Sequence, residues 1–166
     1  MIDYSIVYPS THNPSWVVFM NYNYYCIDKV FYGIKYLNDE YLCAFMNSTI
    51  CVFQSEFFGY SLVSGGGSFI TVEDLKKLLI IDKIKEKKLI EIFKDLKSRK
   101  YYTIFTEIGI DPSKSIRSQK PNPLPDRKAL DDIIFDILGL TQEERNEVYW
   151  AFCELVKNRL EKAKSV

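Results

Sequence analysis

Between Tyr41 and Phe58 the apolar positions recur with helical spacing: Leu42, Phe45, Met46, Phe53 and Phe57 fall close to one side, while Asn47, Gln54 and Ser55 share another. The pattern predicts one hydrophobic helix with a core face and an exposed face. Asn38 and Asp39 suit its N-cap, and Gly59 is placed to end it. A turn at Gly65-Gly66-Gly67 follows, then a strand from Ser68 to Ile70. Thr71 with Asp74 supplies capping oxygens for the next short helix. Tyr41 to Ile81 is therefore the stretch around which the chain is organised.

On the N-terminal side, Ile2, Tyr4, Ile6 and Tyr8 alternate as an edge strand that Pro9 stops. The β-branched and aromatic run from Trp16 to Ile34 predicts two strands with a break around Tyr22 to Asp28. From Asp82 to Arg99, Leu89, Ile92, Phe93 and Leu96 sit at helical spacing among lysines and glutamates, which predicts an amphipathic helix whose charged face serves solubility. Residues 101–110 have strand-like composition, with a helical continuation as the alternative. Pro112 to Pro125 holds four prolines, the bases Lys114, Arg117 and Lys120, and no acid, the composition of an extended, solvated linker. Beyond it, Leu130, Ile133, Ile134, Ile137 and Leu138 form a helical face up to Gly139. Thr141 with Glu144 then makes a capping box for a long last helix carrying Val148, Phe152, Leu155, Val156 and Leu160. The expected fold is α+β: a small mixed sheet packed on the hydrophobic helix, followed by a helical portion ending in an antiparallel helical hairpin. The expected division is a recognition-type domain over 1–110, a linker over 111–125 and the hairpin over 126–166.

Composition narrows the function. With 47% hydrophobic residues the 166-residue chain has ample material for a core, and its formal charge of zero removes the simplest argument for autonomous nucleic-acid binding. Residues 1–70 carry two lysines against five acids, so the rest of the chain holds an excess of three bases. Cys26, Cys43, Cys51 and Cys153 lack metal-ligand spacing and read as buried reduced thiols. His12, the sole histidine, has no nucleophile at a recognisable spacing and reads as a surface loop residue. No signal peptide or membrane-length apolar run is present, so a cytoplasmic protein without a membrane partner is expected.

FYGI (31–34), LCAFMNSTICVF (42–53), GGG with ITVEDLKKLLII (70–81) and ALDDIIFDILGLTQEERNEVYWAFCELVKNRLEKAKSV (129–166) together resemble the C-terminal region of adenine-specific DNA methyltransferases of restriction-modification systems, including fused restriction-methylation enzymes. The resemblance spans most of residues 16–166 in order, and Leu79 departs from it where the family commonly places proline. It implies a target-recognition region that follows a catalytic domain, with S-adenosylmethionine held only by that domain and no cofactor in this chain. Asn13-Pro14-Ser15-Trp16 misses the family's Asn-Pro-Pro-aromatic motif for a flipped adenine, because Ser15 replaces the second proline, and it reads as a turn ahead of Trp16.

The expectation is thus a noncatalytic DNA target-recognition or docking module whose partners are DNA and a catalytic methyltransferase domain or subunit. Asn47 and Gln54 are amide side chains of the kind that bind adenine edges, and local backbone bonding is the competing role for Asn47. Ser68 beside the glycine turn is a phosphate-contact candidate, or part of a plain turn. Lys114, Arg117 and Lys120 are the phosphate-contact candidates on the linker, or simply solvated. The alternatives are a protein-interaction module, including a homodimer, that never touches DNA, and an inactive remnant of a longer methyltransferase.

Overall fold

A computed structural model of the chain describes residues 3–62, 66–81 and 87–165. Gly65 of the glycine triplet and the start of the helix expected from Asp82 lie outside the described residues. The first strand, β1 (Ile6–Pro9), has Ile6, Val7 and Tyr8 all buried, which a two-sided burial requires and an edge strand does not. It is accordingly the middle strand of an antiparallel sheet, flanked by β3 (Phe19–Met20) and β4 (Phe31–Ile34), with Ile6 opposite Met20 and Ile34. This corrects the expected edge position: the burial of Val7, an odd position in the alternation, was the missing signal. The expected break in Tyr22 to Asp28 falls between β3 and β4.

A second antiparallel sheet has the order β2 (Thr11–His12), β6 (Ser68–Phe69), β5 (Tyr60–Ser61). Ser10 joins the two sheets. Its N–H and hydroxyl both donate to Val30 O, at 2.9 and 2.8 Å, and its carbonyl accepts from Ile70 N at 2.9 Å.

The expected single helix is two: α1 (Asp39–Met46) and α2 (Thr49–Phe58). Asn47 and Ser48 break it, Ser48 adopting an extended backbone while its hydroxyl donates back to Phe45 O at 2.6 Å. The break rotates the apolar face, so Leu42, Phe45 and Met46 are core while Phe57 is exposed. A short α3 (Val72–Leu75) follows, capped by the Thr71 hydroxyl, which accepts from Asp74 N. In α4 (Lys87–Ser98), Leu89, Phe93 and Leu96 form the buried stripe. Residues 101–110 are neither a strand nor a continuation of α4. They hold a separate short helix, α5 (Ile104–Ile108), capped by Thr103 and ended by Gly109 at φ +71°.

The Pro-rich segment is largely exposed, as its composition suggests, but it is fastened to the body of the molecule at several points. Asn122 N donates to Ile108 O and Leu124 N to Glu107 O, both at 2.9 Å, a 3-10 turn at Ile116–Ser118 buries Ile116, and Trp150 Nε1 donates to Gln119 O at 2.8 Å. The prolines fix φ without supplying N–H groups, and the amides of Asn122 and Leu124 pair with α5 instead of water. After it, α6 (Pro125–Ile137) and α7 (Gln142–Lys164) are joined by a turn through Gly139. The expected capping box of Thr141 and Glu144 is present. The two helices meet where the Phe135 and Tyr149 rings stand edge to face at 5.6 Å, while α6 also packs on α4 and α7 on α2. Buried residues from both sides of the Pro-rich segment share one hydrophobic cluster.

Two buried side chains of α6 close the helix break. Arg127 donates to Asn47 O and to Glu107 (3.3 Å), and Asp131 accepts from Thr49 N (2.7 Å), Thr49 Oγ1 (2.6 Å) and Tyr149 OH (3.1 Å). Burial raises the Asp131 carboxyl above its ordinary pKa despite those three donors. Asp131→Ala leaves three buried donors without an acceptor and should cost at least about 2 kcal/mol in urea unfolding. Asp131→Asn, which keeps one acceptor oxygen, should cost clearly less; equal losses would show that the bonds to Asp131 contribute nothing beyond packing.

Candidate nucleic-acid interface

Asn47 is fully buried: its Oδ1 accepts from Val18 N at 3.0 Å, and its Nδ2 donates to Val18 O at 3.0 Å and to Cys43 O at 2.8 Å. Its amide is spent on fastening α1 to the chain before β3, which leaves no edge for a base. Ser68 is likewise buried, paired in β6 with His12 on one side and Ser61 on the other. The neighbouring glycine turn is covered by α7. Arg159 donates to Gly66 O and pairs with Glu56 at 2.6 Å, and a Cβ on Gly66 would lie 3.0 Å from Leu160. At Gly66 the space beside the turn is therefore taken by Arg159 and Leu160 of α7.

Gln54 is half-buried and pairs with the backbone of Leu79, accepting from its N–H at 2.8 Å and donating to its carbonyl at 3.2 Å. The Leu79 N–H is therefore in use, and a proline there would abolish the bond.

The cations of the Pro-rich segment divide. Lys114 pairs with Asp111 at 3.2 Å. Arg117 is clasped by two glutamates of α7, Glu147 at 2.7 and 2.8 Å and Glu154 at 3.0 and 3.1 Å, which hold its guanidinium above the usual range. Lys120 has no ion-pair partner among the described residues and lines a cleft of about 340 Å³ with Asn122, Lys128, Gln142, Arg145 and Asn146. Asp132, on the same wall, pairs with Lys128 at 2.5 Å and Arg145 at 3.4 Å; Arg145 also bonds Asp136 at 2.5 Å. Three cations face one lining acid, flanked by neutral amides that can both donate and accept. The structure does not bring Asn47, Gln54 or Ser68 into this cleft.

A second group of exposed cations lies on α4, on the charged face expected to serve solubility. Lys87, Lys94 and Lys97 stand at i, i+7 and i+10 with Glu91 among them, and none of the three has an ion-pair partner among the described residues. Lys97 donates to Tyr22 OH at 2.9 Å and lies 4.8 Å above that ring. The lysine spacing was visible in the sequence, but the approach of the exposed aromatic residue from beyond β3 was not.

His12, contrary to expectation, is buried in β2, stacked on Trp16 with ring centroids 3.4 Å apart and edge-on to Tyr8 at 5.4 Å. Burial lowers its pKa from 6.5 to about 3; a bond with the Pro9 backbone opposes this and the Arg159 charge adds to it. Its Nε2 has no partner. The Asn13 to Trp16 stretch is structural too, with Ser15 bridged to Thr103 and Pro14 O accepting from Ile104 N at 2.7 Å. Cys43, Cys51 and Cys153 are buried free thiols, whereas Cys26, against the expectation of burial, is exposed. Among the described residues no group of three or more His, Cys, Asp or Glu is placed to hold a metal ion, and no helix is long and apolar enough to cross a membrane.

Against this geometry, protein-family models, curated proteins and solved structures yield no match to the chain.

The buried histidine has a measurable consequence. The unfolded chain binds a proton at position 12 near pH 6.5 and the folded chain only near pH 3, so this group's contribution to stability falls as pH drops below 6.5. The slope approaches about 1.4 kcal/mol per pH unit. Urea unfolding at pH 7, 6 and 5 should show this slope in the native sequence and lose most of it in His12→Phe.

Proposed function

We propose that the chain is a noncatalytic DNA target-recognition or docking module of an adenine DNA methyltransferase or restriction-modification system, attached to or working beside a catalytic subunit that holds S-adenosylmethionine. The observation that carries the reading is the cleft at Lys120, where an unpaired lysine stands with Lys128, Arg145 and three amide side chains on a chain whose net charge is zero. Phosphate contacts position a protein on a duplex, and neutral amides beside them can reach sugar or base edges. The unpaired lysines of α4 provide a second set of phosphate contacts. The family resemblance of residues 16–166 supplies the class of enzyme. Zero net charge implies weak binding alone, with most affinity expressed in the assembled enzyme.

Arg117 is a poorer contact than its position in the sequence suggests, because a phosphate must displace two carboxylates that already hold it. Binding of a labelled duplex, followed by anisotropy across a low-salt series, tests this ranking. Lys120→Ala should reduce the salt slope by about 0.9 per lost phosphate contact, and Lys94→Ala with Lys97→Ala by up to twice that. Arg117→Ala should change it much less. Unchanged slopes in the lysine variants would remove both surfaces from the duplex interface. Incubated with methyl donor, the pure chain should leave adenine-containing duplex unmethylated; methylation would overturn the noncatalytic assignment.

A further inference from the structure

The Lys120 cleft is walled by three separate parts of the chain, residues 120–123 of the Pro-rich segment, α6 and the first two turns of α7. Its volume of about 340 Å³ lies at the small end of ligand pockets. A recess of that size, closed by three segments, has no room for a stacked base pair. A nucleotide turned out of its strand can enter it.

Its cations are not equivalent. Lys128 is taken by Asp132 at 2.5 Å. Arg145 is fixed by partners outside the cleft, its Nε donating to Leu140 O at 3.0 Å and its Nη2 to Asp136 at 2.5 Å, while Nη1 makes only a 3.4 Å contact with Asp132. A guanidinium held in place with one loosely engaged nitrogen, beside a lysine that has no ion-pair partner among the described residues, offers an anion two charge-assisted bonds. The amides are also open. Asn122 makes no side-chain hydrogen bond among the described residues. Gln142 Nε2 donates to Asn146 Oδ1 at 3.1 Å, which leaves the Gln142 oxygen and a donor on Asn146 free, and exchanging O and N in both amides would still leave one of each. A free donor beside a free acceptor is what an amide side chain uses to pair with a base edge. Pro121, Pro123 and Tyr149 add apolar lining.

We propose, resting on the nucleic-acid reading above, that this cleft holds a single nucleotide turned out of its strand, with its phosphate on Lys120 and Arg145 Nη1 and its base edge on the amides. Inorganic phosphate would use the cations and leave the amides idle. An acidic side chain offers only acceptors, so the free amide oxygens gain nothing from it. A nucleotide supplies the anion and an edge that both donates and accepts. Asp132 sets where the phosphate lands: it occupies Lys128 and repels an anion from that end of the cleft, which directs the phosphate to Lys120.

The test is an NMR titration of the full chain with deoxyadenosine monophosphate at millimolar concentration, chosen because amide side chains pair with two atoms of adenine at once. Deoxyadenosine, inorganic phosphate and the capped tripeptide Gly-Glu-Gly are titrated beside it. The nucleotide should give saturable shifts in the side-chain amide signals of Asn122, Gln142 and Asn146, and each of the other three should bind at least about tenfold more weakly. Lys120→Ala should weaken the nucleotide about tenfold and leave deoxyadenosine unchanged, whereas Gln142→Ala with Asn146→Ala should weaken the nucleotide by a similar factor and leave phosphate unchanged. All three side chains are exposed or half-buried, so circular dichroism should show an intact fold. Asp132→Asn, which removes the one lining acid, should strengthen the nucleotide severalfold. Absence of saturation, peptide binding as tight as the nucleotide's, or undiminished affinity in both the lysine and the amide variants would each overturn the proposal. A short single-stranded oligonucleotide should displace the mononucleotide; failure to do so would assign the cleft to a free nucleotide and overturn the strand. Duplex anisotropy on the same samples keeps the two readings apart. The amide double variant should keep the native salt slope, so duplex binding without nucleotide binding sinks the cleft site alone, and nucleotide binding without duplex binding sinks the docking reading alone.

Discussion

The interruption at Asn47-Ser48 is the constraint on which the rest of the molecule depends. A helix broken in the middle of a core exposes carbonyls at the end of one segment and N–H groups at the start of the next, and burial of such groups without partners is costly. Here Arg127 takes the Asn47 carbonyl, Asp131 takes the Thr49 N–H, and the Asn47 side chain bonds Val18. Burial alone would raise the Glu107 carboxyl, but the bonds from Arg99 and the charge of Arg127 outweigh it and hold the group below its ordinary pKa. One network thereby ties α1, α2, α5 and α6 around a single polar junction inside an apolar core.

The same logic sorts the polar residues into those that build and those left to bind. Asn47 and Arg159 are chemically suited to recognition, yet both are buried and bonded to the chain's own backbone, and Ser68 is buried within β6. Lys120 and the lysines of α4 keep their charged groups toward solvent or an open cleft. A net charge of zero conceals this, because opposite local charges cancel in the sum while remaining apart in space.

Much of the architecture was legible where a local rule decides it. The Thr141–Glu144 box, the Thr71–Asp74 cap, the two strands flanking Tyr22 to Asp28 and the buried stripe of α4 all follow from spacing within a few residues. The α+β class and the long helix at the C-terminal side follow from the same signals. What escaped depends on distant partners. Nothing near Asn47 announces a break that Arg127 and Asp131 stabilise from eighty residues away. The Pro-rich composition between Asp111 and Pro125 resembles a linker because its partners, α5 and Trp150, lie elsewhere in the chain. Of the nominated site residues Lys120 keeps an open environment without an ion-pair partner among the described residues, a contrast with Arg117 that depends on the distant Glu147 and Glu154.

The separation of those partners also sets an order of assembly. Thr49 meets Asp131 across 82 residues and Glu56 meets Arg159 across 103, so the bonds that complete the helix junction and cover the glycine turn join distant points of the chain. Contacts of that range are closed late, because the loop entropy must be overcome before they contribute. Until α6 packs against it the Thr49 N–H has no partner but water, and until α7 packs the same holds for the Glu56 carboxylate, so these two helices turn a hydrated junction into a fixed, dry one.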